Sequence, residues 1–199
     1  NLHGSKKAFT NKLDSLFTIS SNLHGSNVSM DISGLLGQYA HGNEPSHHIP
    51  FMYNYAGQPW KTQYWVRQIT DSLYNNTPDG ICGNEDCGQM SAWYIFAAVG
   101  LYPCNPSSGQ YVFSSPLMNK ATINVGNGKY FTVQAINNSK KNKYIQSIKL
   151  NGKNYEKIFI THLQLQQGGL LEYVMGPKPN TTLNTSPLSA ATSVSGIVN

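Results

Sequence analysis

The chain has 199 residues, of which 39% are hydrophobic and 12% charged, and a formal net charge of +5. This composition excludes a wholly disordered chain, and no run of about 18 apolar residues predicts a membrane span. The charge is uneven, because residues 1–104 hold 5 Lys/Arg and 7 Asp/Glu whereas residues 105–199 hold 9 and 2. We interpret the two zones as two domains. Arg67 is the only arginine, which argues against a nucleic-acid surface.

The first zone is predicted to be helical. Residues 5–17, SKKAFTNKLDSLF, repeat apolar side chains three and four positions apart, which is the pattern of an amphipathic helix. A second helix is predicted to begin at Pro59, because proline suits the first helical position. Residues 89–103, QMSAWYIFAAVGLYP, are apolar nearly all round. A helix without a polar face is expected to be buried on most sides.

From about residue 110 the sequence changes to the alternating pattern of strands. Short runs rich in β-branched and aromatic residues are separated by turn signals such as Gly-Asn-Gly at residues 126–128. These runs predict a small antiparallel β-sandwich. We divide the chain into a helical domain at 1–104, a sandwich at 105–178 and a Ser/Thr/Asn-rich tail at 179–199. The predicted strands are YVFSS, KATINV, KYFTVQAI, KYIQSIKL, KIFITH and LLEYVMG.

Residues 42–60, GNEPSHHIPFMYNYAGQPW, concentrate polar residue types that are typical of binding sites. Pro45 suits the first turn of a helix, which would put Asn43 and Glu44 at a helix N-terminus. Their side-chain oxygens are the hard ligands that calcium prefers. Simple helix capping explains the same pattern equally well.

The adjacent residues His47 and His48 look like zinc ligands at first sight. Neighbours diverge by about 100° on a helix and 180° on a strand, so this pair is poorly placed to chelate one ion. We favour hydrogen bonds to a substrate hydroxyl, or a core role for one of the two. A zinc hydrolase remains an alternative if His41 supplies a third ligand.

Residues 79–96, DGICGNEDCGQMSAWYIF, form a second dense stretch. Asp86 and Gln89 have the Asp-x-x-Gln spacing of a helix cap. A carboxylate at a helix N-terminus is favoured in its ionised form, which suits Asp86 to act as a general base. The three cysteines make a poor zinc pattern and too small a disulfide set, so we interpret them as mostly buried thiols. They are Cys82, Cys87 and Cys104.

The stretches GQYAHGNEPSHHIPFMYNYAGQPWKTQYWVRQI and PDGICGNEDCGQMSAWYIFAAVGLYP closely resemble the bacterial α-mannosidases of glycoside hydrolase family ninety-two, which include α-1,2-mannosidases. The resemblance covers about residues 5–178. It implies an α+β fold, in which the C-terminal part of an (α/α)6 helical toroid is followed by a small antiparallel β-sandwich. It also implies calcium-dependent, inverting removal of terminal α-linked mannose, by an enzyme that is secreted or periplasmic.

Carried onto this chain, the resemblance makes Asp86 the general base. It places Asn43 and Glu44 in a motif that binds the metal and the substrate. His47 and His48 fall in the same motif, so they and Glu44 are expected to bind the substrate.

The chain departs from the family pattern at two points. Asn84 stands two positions before the base, where many relatives have an Asp that could assist it. The family's general acid lies in an upstream Glu-Gly-Asn motif, which these residues do not contain. We therefore expect the chain to be the C-terminal portion of a longer enzyme, inactive alone and associated with its upstream portion or with itself.

Two function classes follow from these observations. The first is a mannosidase portion that acts on a mannose-containing glycan, without nucleic acid and without a membrane span. The alternative is a non-enzymatic carbohydrate-binding or interaction module, with the basic sandwich as its contact surface. Aligned exposed aromatics on one sandwich face would favour the module, and a polar cleft between Glu44 and Asp86 would favour the hydrolase.

Overall fold

The computed structural model describes residues 2–22, 24–25 and 32–183. Its first half is mainly helical and its second half mainly β-structure, which confirms a mixed α and β architecture. The described residues supply three helices of more than ten residues, and the (α/α)6 toroid stays a prediction. The helices are α1 Lys6–Thr18, α2 Met52–Tyr55, α3 Pro59–Ser72, α4 Gln89–Val99 and α5 His162–Gln166. The strands are β1 Leu35–Leu36, β2 Tyr39–Ala40, β3 Leu101–Asn105, β4 Gln110–Phe113, β5 Lys120–Gly126, β6 Lys129–Ile136, β7 Tyr144–Leu150, β8 Lys153–Asn154, β9 Phe159–Thr161 and β10 Gly169–Gly176.

The two predicted amphipathic helices, α1 and α3, are confirmed and pack against each other through aromatic rings. Helix α1 begins where the Ser5 hydroxyl accepts a hydrogen bond from the Ala8 N–H at 3.0 Å. On its buried face, Phe17 stacks on Trp65 of α3 with ring centroids 4.5 Å apart. This packing gives the helical half a continuous apolar core.

Helix α4 lies within the predicted stretch at residues 89–103 but is less completely buried than expected. It ends where Gly100 takes a left-handed conformation (φ 86°), a turn that favours glycine, and the chain continues as β3. Trp93 is fully buried, but the side chains of Ile95 and Phe96 are 62% and 36% exposed. The expected burial on most sides is therefore wrong for one face of α4.

The second half forms two packed sheets, as the alternation predicted. A five-stranded sheet has the order β5-β6-β10-β7-β8, and a three-stranded sheet has the order β3-β4-β9. The sandwich is not purely antiparallel, because β10 pairs with β6 in parallel. After β8 the chain crosses to the other sheet as β9 and returns through α5, and a crossover of this kind lets two strands lie parallel.

Buried side chains of the helical half bind the backbone of the sheet half. Asn54 donates to the Phe113 carbonyl at 3.1 Å, and Gln63 accepts from the Ile145 N–H at 2.9 Å. Arg67 donates to the carbonyls of Pro116 and Ser139 in loops of the sandwich. The predicted domain boundary after residue 104 falls inside β3, so the two halves share a strand as well as these hydrogen bonds.

Among the described residues, no helix is both long enough and apolar enough to cross a membrane. The predicted tail at residues 179–199 is described only to residue 183, so most of that prediction lies outside the described residues.

Candidate functional site

The two dense stretches of the sequence meet at a pair of glycines. A side-chain carbon added at Gly83 would lie 3.1 Å from the Gly42 Cα, and one added at Gly42 would collide with the Cys82 carbonyl and the Ser33 hydroxyl. The same Ser33 hydroxyl donates to the Cys82 carbonyl at 3.2 Å. Only glycine lets the backbones approach this closely. The fold therefore brings the loop before Asn43 against the loop before Asn84.

Glu44 is the first residue of a short 3-10 helix, Glu44–Ser46, which Pro45 helps to start. Its Oε1 atom is buried and has no hydrogen-bond partner among the described residues. An unpaired buried carboxylate oxygen is costly, so such an atom points to a ligand that satisfies it. Neighbouring Asn43 is exposed and its side chain makes no capping bond. The capping interpretation of Asn43 is therefore wrong.

Asn43 and Glu44 could bind a calcium ion only together with further oxygen ligands. Their adjacent oxygens are the hard donors that Ca²⁺ prefers, but Ca²⁺ takes six to eight oxygen ligands. Within the described residues, no group of three or more His, Cys, Asp or Glu side chains could hold a metal ion. The remaining ligands would have to be backbone carbonyls, water, substrate or residues beyond those described.

His47 is a core residue in this structure. It is 1% exposed, and its Nε2 donates to the His41 carbonyl at 3.0 Å. Since a carbonyl can only accept, the proton lies on Nε2, and Nδ1 accepts from the Gln89 amide at 3.1 Å. A substrate role for His47 stays a prediction, but both of its ring nitrogens already have partners. His48 is exposed and is the member of the pair that a ligand could reach.

His41 is equally enclosed, and the zinc alternative fails for this reason. Its Nδ1 and Nε2 are bonded to the hydroxyls of Tyr39 at 2.8 Å and Tyr74 at 2.7 Å. Burial, with a smaller contribution from His47, lowers the pKa of His41 to about 3. Burial also lowers the pKa of His47. Both rings are neutral near pH 7 and neither has a nitrogen free for zinc.

Asp86 lies in a strained loop that leads into α4. Asp86, Cys87 and Gly88 have successive φ values of 46°, 58° and 94°, all in the left-handed region. Non-glycine residues adopt this region at a cost of about 1–3 kcal/mol each, and such strain clusters at functional sites. The Asp86 side chain is exposed and has no hydrogen-bond partner among the described residues, so a ligand could reach its carboxylate oxygens.

The helix cap predicted for Asp86 belongs to its neighbour instead. Glu85 accepts the Ser91 N–H at 2.9 Å with one carboxylate oxygen and the Ser91 hydroxyl at 2.8 Å with the other. Gly88 is the N-cap of α4 and has no side chain to contribute. The left-handed run of Asp86, Cys87 and Gly88 leaves the cap to Glu85, which the Asp-x-x-Gln spacing could not reveal.

The other predicted site residues are exposed or half-buried. Asn84 is exposed, without a side-chain hydrogen bond among the described residues. All three cysteines are free thiols, and the prediction that they are mostly buried is wrong, because Cys87 is exposed and Cys82 and Cys104 are only half-buried. Cys104 is half-buried, and burial raises its pKa to about 11.

Sequence reasoning missed the roles of four residues that organise the site. Glu85 caps α4, and Gln89, His41 and Tyr74 form the hydrogen-bonded layer beneath it. Two of them carried a sequence signal: the spacing of Gln89 from Asp86 was interpreted as half of a helix cap, and His41 was considered as a possible third zinc ligand.

Comparison with known proteins agrees with the earlier resemblance. Residues 1–177 match the sequence model of the glycosyl hydrolase family 92 catalytic domain. An uncharacterized secreted glycosidase of Arthroderma benhamiae is 34% identical over 184 residues, which are 91% of this chain and 22% of that protein.

Two solved structures from Bacteroides thetaiotaomicron have the same fold over nearly the whole chain. A family GH92 α-mannosidase is 43% identical with a TM-score of 0.87, covering 95% of this chain and 25% of its own. A family GH92 inverting mannosidase is 38% identical with a TM-score of 0.84, and the match covers 98% of this chain and 27% of that protein. The chain thus spans about a quarter of the length of these relatives. The family match and the shared fold together establish that the chain belongs to glycosyl hydrolase family 92.

Proposed function

We propose that this chain is the C-terminal portion of a calcium-dependent, inverting exo-α-mannosidase that removes terminal α-linked mannose, with a preference for α-1,2 linkages. The observation that carries the proposal is the approach of two motif loops at Gly42 and Gly83, one with the unpaired Glu44 oxygen and the other with the free Asp86 carboxylate. The names of the relatives support it, since one is an α-mannosidase solved with mannoimidazole and another is an inverting mannosidase.

In this mechanism Asp86 removes a proton from the water that attacks the anomeric carbon. Inverting glycosidases hold acid and base about 6.5–9.5 Å apart so that this water fits between base and sugar. A base needs a free lone pair within reach of the water. The exposed, unbonded Asp86 carboxylate has that property, whereas the Glu85 carboxylate is occupied by Ser91. Asn84, beside these residues, would orient the water as a hydrogen-bond donor and acceptor.

Asn43 and Glu44 would hold calcium together with ligands beyond this pair. When bound, the ion would supply a positive charge that binds and polarises mannose hydroxyls. Glu44 would also present its buried oxygen to the sugar ring, and exposed His48 would donate a hydrogen bond to a hydroxyl. These contacts would use binding energy to favour the oxocarbenium-like transition state.

The general acid is proposed to lie outside these 199 residues. Asp14 is engaged by Lys61 at 2.6 Å and by the Tyr53 hydroxyl at 3.0 Å. Asp31 lies outside the described residues. Glu156 and Glu172 belong to the sheet half, and both carboxylate oxygens of Glu85 are bonded to Ser91.

We also propose that the exposed apolar face of α4 is covered by the upstream portion of the enzyme or by a second copy. Ile95 and Phe96 are the exposed residues of that face, and contiguous apolar surface of this kind marks an interface. The Arthroderma relative is named a secreted glycosidase, which supports a secreted location for this protein, including the periplasm if it is bacterial.

The alternative, a binding module without catalysis, has less support. Carbohydrate-binding surfaces stack sugars on exposed aromatic rings. Among the described strands, Tyr130 is the one exposed aromatic, at 57%. A single ring does not make an aligned platform.

The test is Asp86→Asn in the complete enzyme, assayed on an α-1,2-linked mannobiose with calcium present. Loss of the base should lower kcat by about 10²- to 10⁴-fold, because an amide cannot accept the proton of water. The matched control is Asp79→Asn, which removes the same charge from an exposed residue of the preceding loop and should leave kcat unchanged. Near-normal turnover by Asp86→Asn would remove this residue from the base role.

A further inference from the structure

We propose that Gln89 is a positioning residue, whose side-chain amide fixes the Asp86 loop against the Glu44 loop. The proposal rests on the proposed function, because it concerns the placement of the proposed base. It assigns Gln89 no contact with the substrate. Its role is mechanical and is carried by the hydrogen bond that the amide makes to His47.

The first observation is that the Asp86 loop cannot hold its shape by local preference alone. Three consecutive left-handed residues, Asp86 to Gly88, precede α4. Two of them carry side chains, and a non-glycine residue in this region persists only when its surroundings determine it. Restraints from neighbouring elements must therefore hold the loop.

The second observation is that the side chain of Gln89, directly after the strained residues, is held by a hydrogen bond to the 3-10 segment. Its amide donates to His47 Nδ1 at 3.1 Å. The amide also lies near the Tyr102 hydroxyl and lowers the pKa of that group, which burial raises to about 12. Tyr102 lies on β3 and is 9% exposed. The hydrogen bond to His47 therefore ties the start of α4 to the 3-10 segment, close to the sheet half.

His47 is a rigid anchor for this bond. Its ring donates to the His41 carbonyl at 3.0 Å and stacks on the His41 ring with centroids 4.6 Å apart. Its own carbonyl accepts the Trp93 indole N–H at 3.1 Å. With Nε2 committed to a carbonyl, Nδ1 can only accept, so the amide N–H of Gln89 is the matching group.

The third observation is that a similar backbone hydrogen bond joins each partner of the Gln89–His47 bond to its own loop. The backbone N–H of His47 donates to the Glu44 carbonyl at 3.0 Å, and the backbone N–H of Gln89 donates to the Asp86 carbonyl at 3.3 Å. One side-chain bond, from Gln89 to His47, therefore completes a hydrogen-bonded chain from Glu44 to Asp86. Loss of that bond should let the two carboxylates change their separation while each loop stays in place at Gly42 and Gly83.

The first test is Gln89→Met in the complete enzyme, which keeps side-chain length and helix preference but removes the amide that bonds to His47. We expect kcat to fall about 10- to 100-fold, the scale of a small misplacement of a catalytic group, with KM changed less than about threefold because no substrate contact is lost. Gln68→Met is the matched control, since Gln68 is also a half-buried helical glutamine and makes no side-chain hydrogen bond among the described residues. A kcat within about twofold of the parent, or a rise in KM alone, would overturn the proposal.

The second test does not depend on catalysis. Hydrogen exchange of the 199-residue chain should become faster in peptides covering residues 83–92 of Gln89→Met and stay unchanged in those covering β6 and β10. Should Gln89→Met fail to fold, Gln89→Ala, which adds no bulk, decides the question by the same measurement. Unchanged exchange at residues 83–92 would refute the positioning role, even if the parent enzyme released no mannose and the proposed function had failed.

Discussion

Replacing Arg67 by methionine should strongly destabilise the protein by separating its helical and sheet halves. Arg67 lies on α3 and is 3% exposed. Its guanidinium donates to the Pro116 carbonyl, to Asn138 Oδ1 at 3.2 Å and to the Ser139 carbonyl at 2.8 Å. Both carbonyls belong to loops that flank β5 and β6, so one side chain holds two loops of the sandwich against a helix.

The expected loss follows from these contacts. A hydrogen bond from a charged donor contributes about 1.5–3 kcal/mol, and a buried acceptor left unpaired costs about 1–3 kcal/mol. Methionine recovers part of this by burying apolar surface, and the Arg67 Nε has no partner to lose among the described residues. We expect the free energy of unfolding to fall by about 3–5 kcal/mol. At about 2–4 °C per kcal/mol for a chain of this size, Tm should fall by about 6–20 °C.

Urea unfolding of the purified 199-residue chain measures this change, provided that the m-value is the same in both proteins. The control is Lys61→Met, which removes a cation from the same helix. The Lys61–Asp14 ion pair is at the surface, with side chains 30% and 38% exposed, and exposed pairs contribute less than about 1 kcal/mol. Equal losses of unfolding free energy in Arg67→Met and Lys61→Met would refute the reasoning. The burial of the hydrogen-bonded groups would then not determine how much stability is lost.

Four further outcomes are expected. Exhaustive chelation of the complete enzyme should abolish mannose release and added calcium should restore it; unaffected activity would exclude the metal role. The 199-residue chain alone should release no mannose from α-1,2-mannobiose, and sustained release would show that the acid lies within it. Ile95→Lys should reduce self-association measured by sedimentation; an unchanged oligomeric state would place the interface elsewhere. Stability should decline as pH falls from about 6.5 towards 3, because the unfolded state binds a proton that buried His41 resists, its pKa being about 3; a His41→Gln variant with an equal decline would contradict that assignment.

The sequence by itself determined where most regular elements lie. In α1 the spacing of the apolar residues matches the helical period, and in β6 the residues alternate between exposed and buried positions. Such patterns are local, because one face of each element has to be buried whatever it packs against. The two motif stretches could also be recognised from the sequence. In each, a glycine directly precedes the candidate site residues: Gly42 precedes Asn43 and Gly83 precedes Asn84.

The tertiary structure decided what no local pattern contains. The parallel pairing of β10 with β6 depends on a crossover through the other sheet, and hydrogen-bond partners of strands are set by topology. The capping role passed from Asp86 to Glu85 because three left-handed residues redirect the loop. His47 looked like a ligand in the sequence, yet its two nitrogens are satisfied by His41 and Gln89, which lie six residues before it and 42 residues after it. Burial removes water as a partner for a polar group, so only the packed chain determines which protein atom must replace it.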